Sequence, residues 1–386
     1  MKEGWEYKKI GDIATVVSGS KPQTSVEEFW GKGHYWVTPA ELDDKTVYVS
    51  KTERQITDAA LAKVKLQRLP KGTVLLSSRA PIGKVAICDV DMYCNQGFKN
   101  CICSDLVYNK YLFYFLKDKK EYLNSLGRGA TFKEISKGIV EKVIVPLPPK
   151  PTQLSIVSEL DKLNELIRIK KEQLKDYDTL AQSIFYEMFG DPVVNEKGWE
   201  VKTFGECFSI GAGGTPSTKV KEYWDNGTIP WIGSNMCQNC IITETDGKFI
   251  TEEGLTHSST KLLAPGTVLV ALVGATIGKV GLLRIETCTN QNVAFIKVQE
   301  TETFTSEFVY YHLMGLYGEF MKIGQGNFKM ANQGFIKLLP IPLPPLPLQQ
   351  SFAQKIEQIE QQKAAVQKTI TDLETLLAAR MQYWFD

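Results

Sequence analysis

The segment from Pro146 to Phe189 decides the fold. It opens with Pro146-Leu147-Pro148-Pro149, and Thr152 is the predicted N-cap of the helix that follows. Residues at alternating spacings of four and three then form one stripe: Ile156, Leu160, Leu163, Ile167, Lys170, Leu174, Tyr177, Ala181, Ile184 and Met188. All of them except Lys170 are apolar, which is typical of the heptad seam along which a long helix pairs with another helix.

A second seam follows 196 residues later, after Pro342-Leu343-Pro344-Pro345. Its members are Phe352, Ile356, Ile359, Lys363, Val366, Ile370, Leu373, Leu377, Arg380 and Trp384. The two seams predict two long antiparallel helices that form a coiled coil, each about 35 residues and roughly 50 Å long. The polar residues Lys170 and Lys363 are expected to fix its register. The alternative is that each helix packs only across its own domain.

The whole chain is an internal repeat. Gly4-Trp5-Glu6-Tyr7-Lys8 returns as Gly198-Trp199-Glu200-Val201-Lys202, and Asn95-Gln96 returns as Asn290-Gln291. Strands are predicted at 73–78, 85–88, 267–273 and 279–283, and helices at 109–126 and 306–322. Because strands and helices do not alternate regularly, the fold class is α+β. The predicted order is a first domain (1–150), a first long helix (151–190), a second domain (195–346) and a second long helix (347–386).

The amino-acid composition is typical of a folded protein. The 386 residues are 43% hydrophobic and 23% charged, and no apolar run suggests a membrane span or a signal segment, so a cytoplasmic protein is expected. The eight cysteines are interpreted as free thiols in a chain of this size. Cys237-Gln238-Asn239-Cys240 has the spacing of half a zinc site, but no second pair accompanies it, and no metal is predicted.

The charge is unevenly distributed. Residues 1–150 hold 24 Lys and Arg against 17 Asp and Glu, a balance of +7, whereas residues 195–345 hold 12 against 14, a balance of −2. The first domain therefore has a positive surplus that could face phosphates. The second domain has none.

A search for catalytic groups finds none. His34, His257 and His312 are not spaced as ligands or as a nucleophile-base pair, and each is interpreted as a surface or packing residue. Gly211-Ala212-Gly213-Gly214 lacks the context of a phosphate-binding loop. Asp191-Pro192-Val193-Val194 lacks the second proline and the aromatic residue of an amino-methyltransferase motif. The chain is predicted to catalyse nothing by itself and to hold no cofactor.

What remains is recognition by polar loops at matched positions of the two copies. The candidate DNA-binding residues of the first domain are Lys21, Gln23, Thr24, Ser77, Ser78, Arg79, Lys84, Asn95, Gln96, Lys99, Arg128, Thr131 and Lys133. Those of the second domain are Ser217, Thr218, Lys219, Asn235, Lys279, Asn290, Gln291, Gln325, Asn327 and Lys329. Arg with guanine and Asn or Gln with adenine are the favoured base contacts. The alternative is that these are ordinary solvated loops.

Comparison of the two copies divides these residues into a shared group and a differing group. Pairs kept in both copies, such as Lys84 with Lys279, suit the fold or phosphate contacts. Residues that differ at matched loops, such as Arg79 against the Val273-Gly274 region and Arg128 against Gln325, suit the reading of different bases.

The ordered duplication resembles the specificity (S) subunit of type I restriction-modification systems. The resemblance covers the full length and includes Trp5 to Asp12 with Trp199 to Glu206, Gly19 to Pro22 with Gly213 to Pro216, and Gln153 with Gln349 near the helix starts. It implies two target-recognition domains that each read half of a bipartite double-stranded DNA target, with the helices as a ruler. It also implies separate modification (methyltransferase) and restriction (translocase/endonuclease) subunits, which bring S-adenosylmethionine, ATP and Mg²⁺.

Two other classes of function stay open from the residues alone. One is a coiled-coil scaffold that joins two protein-binding domains. The other is a self-contained DNA methyltransferase or nuclease.

Overall fold

A computed structural model describes residues 2–129, 133–323 and 331–386. The chain divides into two units, one made of residues 1–171 and 368–386 and the other of residues 172–367. Both long helices contribute one half to each unit. None of the helices in the described part of the chain combines the length and the apolar character that a membrane crossing requires.

The first unit is an α+β domain built on a five-stranded sheet. Its strands are Glu6–Lys9, Ala14–Ser18, Trp30–Val37, Tyr48–Val49, Gln55–Ile56, Val74–Leu76, Val85–Cys88, Tyr93–Cys94, Lys99–Cys103 and Ile144–Leu147. Its shorter helices are Ile10–Ile13, Asp58–Lys63, Asn109–Asp118, Lys120–Ser125 and Lys137–Glu141, with 3-10 turns at Glu27–Phe29 and Pro39–Glu41. The first long helix runs from Lys150 to Phe189 and lies partly in each unit.

The second unit repeats this plan. Its strands are Val201–Thr203, Ser209–Ala212, Ile229–Ile232, Cys240–Ile242, Phe249–Ile250, Leu262–Leu263, Val268–Ala271, Val280–Leu283, Thr287–Thr289, Val293–Lys297 and Pro340–Pro342. Its shorter helices are Phe204–Cys207, Glu252–Thr256, Ser306–Gly315, Tyr317–Ile323 and Gln333–Leu338, with 3-10 turns at Lys221–Tyr223, Ser234–Met236, Gly274–Thr276 and Val298–Glu300. The second long helix runs from Leu346 to Phe385.

Sheet topology confirms the duplication and the α+β class. In the first unit the strand Val74–Leu76 is central and pairs antiparallel with Val85–Cys88 and with Lys99–Cys103. In the second unit Val268–Ala271 is central and pairs antiparallel with Val280–Leu283 and with Val293–Lys297. In each sheet the strand that follows the central one carries a parallel edge strand. Matched loops of the two copies therefore leave matched strands.

Two predictions about helices were wrong in detail. The helix predicted at 109–126 breaks at Lys119, and its counterpart breaks at Leu316. After the break, the second helical segment packs directly against a glycine-containing turn. A Cβ on Gly83 would lie 3.3 Å from the Lys120 Cα, and a Cβ on Gly278 would lie 2.6 Å from the Phe320 Cβ. Thr152 is not an N-cap, because the long helix already begins at Lys150 and Thr152 N donates to Pro149 O.

In the first unit the two long helices run antiparallel. Glu159 accepts hydrogen bonds from Arg380 and from Trp384 Nε1 (3.1 Å), and Lys171 pairs with Glu374 at 2.6 Å. In these contacts the residue number rises along the first helix as it falls along the second, so the helices pack antiparallel. Burial agrees: Leu160 is 0% exposed in the core that also contains Phe385.

In the second unit the other halves of the helices pair in the same sense. Phe185 and Phe189 pack on Phe352, and Lys363 pairs with Asp178 at 2.8 Å. Burial of the Lys363 ammonium would lower its pKa, but hydrogen bonds to Asp178 and Glu360 raise it, so this lysine stays charged within the seam. Lys363 therefore makes an ion pair across the two helices, and its role in fixing the register stays a prediction.

Every predicted seam residue faces inward. Of the twenty members of the two seams, nine are buried, eleven are half-buried and none is exposed. The buried members are Ile156, Leu160, Ile167, Ala181, Phe352, Ile356, Ile359, Val366 and Ile370, and the half-buried members are Leu163, Lys170, Leu174, Tyr177, Ile184, Met188, Lys363, Leu373, Leu377, Arg380 and Trp384. The alternative that each helix packs only across its own domain is wrong, because both units contain contacts between the helices.

His312 is a packing residue of the second core. Its ring is 0% exposed and lies between the rings of Phe204 and Phe308, with centroids 6.0 and 5.9 Å away. Nε2 lies 2.8 Å from Pro340 O and must donate to it, since a carbonyl only accepts. Nδ1 is buried and has no partner among the described residues. Burial therefore lowers the pKa of His312 to about 4.

We expect this ring to make stability depend on pH. The unfolded ring takes a proton near pH 6.5 and the folded ring only near 4, so the unfolded state binds more protons between these values. The free energy of unfolding should fall by about 3 kcal/mol as the pH drops through that window. The His312→Phe variant, which carries the residue of the matching position Phe115, should lose this part of the dependence in denaturant titrations. Equal pH slopes in both proteins would contradict it.

We expect the Phe185 side chain to contribute strongly to the free energy of unfolding of the second unit. Its ring lies 5.6 Å from that of Phe352 and 5.8 Å from that of Phe308. Phe185→Ala should cost about 3–5 kcal/mol, through lost burial and the cavity that remains. Leu180→Ala on the same helix, at a side chain 46% exposed, should change the unfolding free energy by less than about 0.5 kcal/mol. Similar midpoints for the two variants in chemical denaturation would refute the assignment.

Candidate DNA interface

Neighbouring loops of the first domain are tied into one continuous surface by backbone hydrogen bonds. Ser20 N donates to Cys94 O at 3.0 Å, and Ser78 N donates to Gly97 O at 2.7 Å. Ile135 N then donates to Ser78 O at 3.0 Å. We call this surface the first recognition belt, and it comprises residues 19–24, 94–97, 77–79, 128–129 and 133–135.

The second domain has an equivalent surface. Gly214 N donates to Thr289 O at 2.8 Å, Leu272 N donates to Asn292 O at 2.9 Å, and Ala331 N donates to Leu272 O at 2.9 Å. The second recognition belt comprises residues 213–219, 289–292, 272–274 and 331. The same backbone connections thus present different side chains in the two copies.

The Gly-x-x-Pro motif places the first loop of each belt. A Cβ on Gly19 would lie 1.9 Å from Asn95 O, and one on Gly213 would lie 2.2 Å from Thr289 O, so only glycine permits this approach. An indole fixes the next residue: Trp36 Nε1 donates to Ser20 O, and Trp231 Nε1 donates to Gly214 O. These glycines therefore serve loop packing.

About half of the predicted contact residues are exposed to solvent. In the first domain these are Lys21, Gln23, Thr24, Arg79, Gln96, Arg128 and Lys133. In the second domain they are Ser217, Thr218, Lys219, Asn235 and Gln291. All but Asn235 lie on the two belts, so the structure brings together residues that are up to 112 positions apart in the first domain and 74 in the second.

Ser77, Ser78 and Lys84 are engaged within the fold. Ser77 Oγ donates to Pro81 O at 2.7 Å, and both serines are 0% exposed. Lys84 Nζ donates to the carbonyls of Pro39 (3.0 Å) and Leu42 (2.6 Å). We correct the prediction for these three: their polar atoms face protein, so they support the loops.

The matched asparagines also hold loops. Asn95 Oδ1 accepts from Gly97 N at 2.9 Å, and Asn290 Oδ1 accepts from Asn292 N at 3.0 Å. Lys279, the counterpart of Lys84, donates to Gln238 Oε1 at 2.6 Å. Two pairs that are kept in both copies, Asn95 with Asn290 and Lys84 with Lys279, thus have local structural partners, which suits a role in the fold.

Glu134 is an important residue that the sequence analysis missed. Its carboxylate accepts from Arg79 Nε at 2.9 Å and from Lys99 Nζ at 3.2 Å, and Lys99 is only 7% exposed. Burial would raise the pKa of Glu134, but the hydrogen bonds from Arg79 and Lys99 hold it below its usual value. We therefore correct the prediction that Lys99 contacts DNA directly. In the sequence, Glu134 resembles any solvated charge beside Lys133.

Four predicted residues lie outside the described residues: Thr131, Gln325, Asn327 and Lys329. They stay predictions.

Each domain also has an open aromatic cleft beside its belt. A cavity of about 380 Å³ is lined by Trp224, Trp231 and Lys248 among others, and one of about 330 Å³ is lined by Trp30 and Arg54. In the first domain the Arg54 guanidinium lies 4.1 Å from the centre of the Trp30 ring. Trp30 meets Trp36 edge to face with ring centroids 4.9 Å apart, and Trp224 meets Trp231 in the same way at 5.2 Å. The clefts are therefore part of the repeated architecture.

Five of the eight cysteines are buried and three are half-buried. All eight are free thiols, as predicted, and burial raises the pKa of Cys237 to about 12. Across residues 2–129, 133–323 and 331–386, no group of three or more His, Cys, Asp or Glu side chains is placed to hold a metal ion.

Comparison with known proteins agrees with the repeat. The type I restriction modification DNA specificity domain matches residues 2–176 and again residues 196–375. The specificity subunit of the type I restriction enzyme MjaIX of Methanocaldococcus jannaschii is 34% identical over 293 residues, which cover 71% of this chain and 67% of that protein. The MjaVIII specificity subunit of the same organism is 26% identical over 393 residues, covering 93% and 86%.

Two solved structures share the fold. A chain from a study of complex assembly and conformational transition in the type I restriction-modification system has a TM-score of 0.67 at 19% identity, covering 100% of this chain and 98% of that one. The type I S subunit of M. genitalium has a TM-score of 0.56 at 16% identity, covering 99% and 96%. The match of the specificity domain to both halves confirms the resemblance: this chain belongs to the type I restriction-modification DNA specificity family.

Proposed function

We propose that this chain is the DNA-recognition subunit of a type I restriction-modification complex and that each of its domains reads one half of a bipartite target. One observation carries the proposal. The two recognition belts have the same backbone connections but different exposed side chains, which is what two readers of different sequences on one scaffold require. The chain itself supplies no catalytic step.

The first belt suits both phosphates and base edges. Lys21, Arg128 and Lys133 are exposed and fit the backbone of a duplex, and Gln23 and Gln96 fit adenine. Arg79 adds a group suited to guanine. The charge balance of +7 over residues 1–150 supports this orientation toward DNA.

The second belt recognises DNA with fewer charges. Its exposed groups Ser217, Thr218 and Gln291 are neutral, and only Lys219 is basic. Neutral hydroxyl and amide groups discriminate bases but add little to salt-dependent affinity. Partner subunits therefore supply much of the phosphate contact on this side.

The long helices set the spacer between the half-sites. Each has 40 residues and is thus about 60 Å long. Each domain buries one half of both helices in its own core. The length of the helices therefore determines the number of base pairs between the two half-sites.

Modification subunits dock on the outer faces of these helices. Several large apolar side chains there are 45–47% exposed: Leu154, Leu166, Ile169, Leu180 and Leu376. Exposed apolar groups of this kind suit a protein interface. The modification subunits supply S-adenosylmethionine and the methyl transfer, and restriction subunits supply ATP- and Mg²⁺-dependent cleavage.

Lengthening both helices tests the ruler. Seven residues inserted after Lys171 and seven inserted after Gln367 keep the heptad seam and add about 10 Å. The methylated motif of the complex, mapped by sequencing host DNA, should keep both half-sites and gain a spacer of about three base pairs. An unchanged spacer would refute the ruler.

The control keeps the helix length. Exchange of exposed helix residues such as Glu172 and Lys368 for alanine, without insertion, should leave motif and spacer as in the parent. Insertion into one helix alone should abolish methylation, because the seams then lose their register.

A further inference from the structure

Two charged side chains of the first belt, Arg79 and Glu134, form one connected unit with the buried Lys99 beneath them. Glu134 Oε2 accepts from Arg79 Nε at 2.9 Å, and Oε1 accepts from Lys99 Nζ at 3.2 Å. Lys99 Nζ also lies 3.3 Å from Ser78 Oγ. Each carboxylate oxygen of Glu134 therefore has its own cation, one exposed and one buried.

The backbone holds both ends of this unit. Arg79 and Glu134 face each other in an antiparallel bridge, and Ile135 N donates to Ser78 O at 3.0 Å. Glu134 also exchanges backbone hydrogen bonds with Arg128, at 3.0 Å in both directions. An arginine anchored in this way loses less conformational freedom when it binds a ligand, because its orientation is already set.

The outer edge of the Arg79 guanidinium is available. Its side chain is 47% exposed, and within the described residues neither terminal nitrogen donates a hydrogen bond. Nε donates to the carboxylate, which leaves the two terminal nitrogens and their N–H groups as a fork for another acceptor. Such a fork matches O6 and N7 of guanine in the major groove.

Charge supports an anionic partner for this unit. Two cations and one carboxylate leave a net positive charge, and Lys99 offsets the repulsion that Glu134 would exert on DNA phosphates. A lone carboxylate at this position would weaken DNA binding.

The unit has no equivalent at the matched positions that the structure describes in the second domain. Lys99 lies opposite Ser18 in the sheet, and the matching residue opposite Ala212 is Ala294. The counterpart of Ser78 is Leu272, and that of Arg79 is Val273. The second domain forms the same sheet without these charges, so they serve a task of the first belt alone.

We propose that Arg79 reads a guanine in the half-site of the first domain, and that Glu134 and Lys99 are positioning residues that hold its guanidinium in the bidentate orientation. This inference rests on the proposed DNA-recognition function and adds the base and the residues that select it.

The test uses the full-length chain in complex with its modification subunits. The methylated motif is mapped first, and methylation rates are then measured on duplexes in which each base of the first half-site is replaced in turn. Arg79→Ala should reduce the preference for one guanine by about tenfold to a hundredfold. Preference at every position of the other half-site should be unchanged.

The positioning residues are separated from the reader by conservative variants. Glu134→Gln keeps the shape of the side chain, and Lys99→Met keeps an unbranched side chain of nearly the same length without the charge. Each should lower the discrimination at the same guanine by about threefold to tenfold, less than Arg79→Ala. The double variant Arg79→Ala/Glu134→Gln should match Arg79→Ala alone, since Glu134 acts only through Arg79.

The second domain offers a matched control. Arg284, whose side chain is 37% exposed, pairs with the more buried Glu307 outside the second belt, with Nη2 and Oε1 2.5 Å apart. Arg284→Ala should leave the discrimination at all positions unchanged. Thermal unfolding of each complex shows whether a variant has merely lost stability.

Several outcomes would overturn the inference. They are a first half-site without guanine, an Arg79→Ala complex that keeps its guanine preference, or a Glu134→Gln complex with unchanged discrimination. A new base preference in Glu134→Gln would also overturn it, because Glu134 would then contact a base directly. A parent complex that methylates DNA without any sequence preference would instead refute the proposed function.

Discussion

Burial of the two heptad seams is the constraint on which the rest of the structure depends. The helices are parts of the domain cores: Ile156 and Phe385 lie in the core of the first unit, and Phe185 and Phe352 lie in that of the second. Each domain therefore needs segments from both helices, which are far apart in the chain. A change in seam register would alter the cores as well as the pairing, which explains why the helices have equal length and a constant offset.

Fold class, duplication and the seam could be predicted from the sequence because each depends on a period or a repeat that burial imposes. The start of the long helix was misplaced because Pro151 tolerates the first helical turn, where no N–H is required. The break at Lys119 escaped prediction because it follows from the approach of a distant residue, Gly83, and not from a local breaker.

The candidate interface was predictable as a set of loops but not residue by residue. Side-chain type marked Lys84 and Lys99 as contacts, yet their ammonium groups reach backbone carbonyls and a carboxylate inside the domain. The direction of a lysine depends on which acceptors the tertiary fold brings near it. Glu134 was missed for the converse reason, since its role exists only beside Arg79, 55 positions away.

Replacement of the first domain by a copy of the second, within the unchanged helices, tests most directly that two independent readers share one frame. The methylated motif of the resulting complex should contain the half-site of the second domain in both halves, with the original spacer. Persistence of the original first half-site, or a changed half-site at the untouched second domain, would contradict the account.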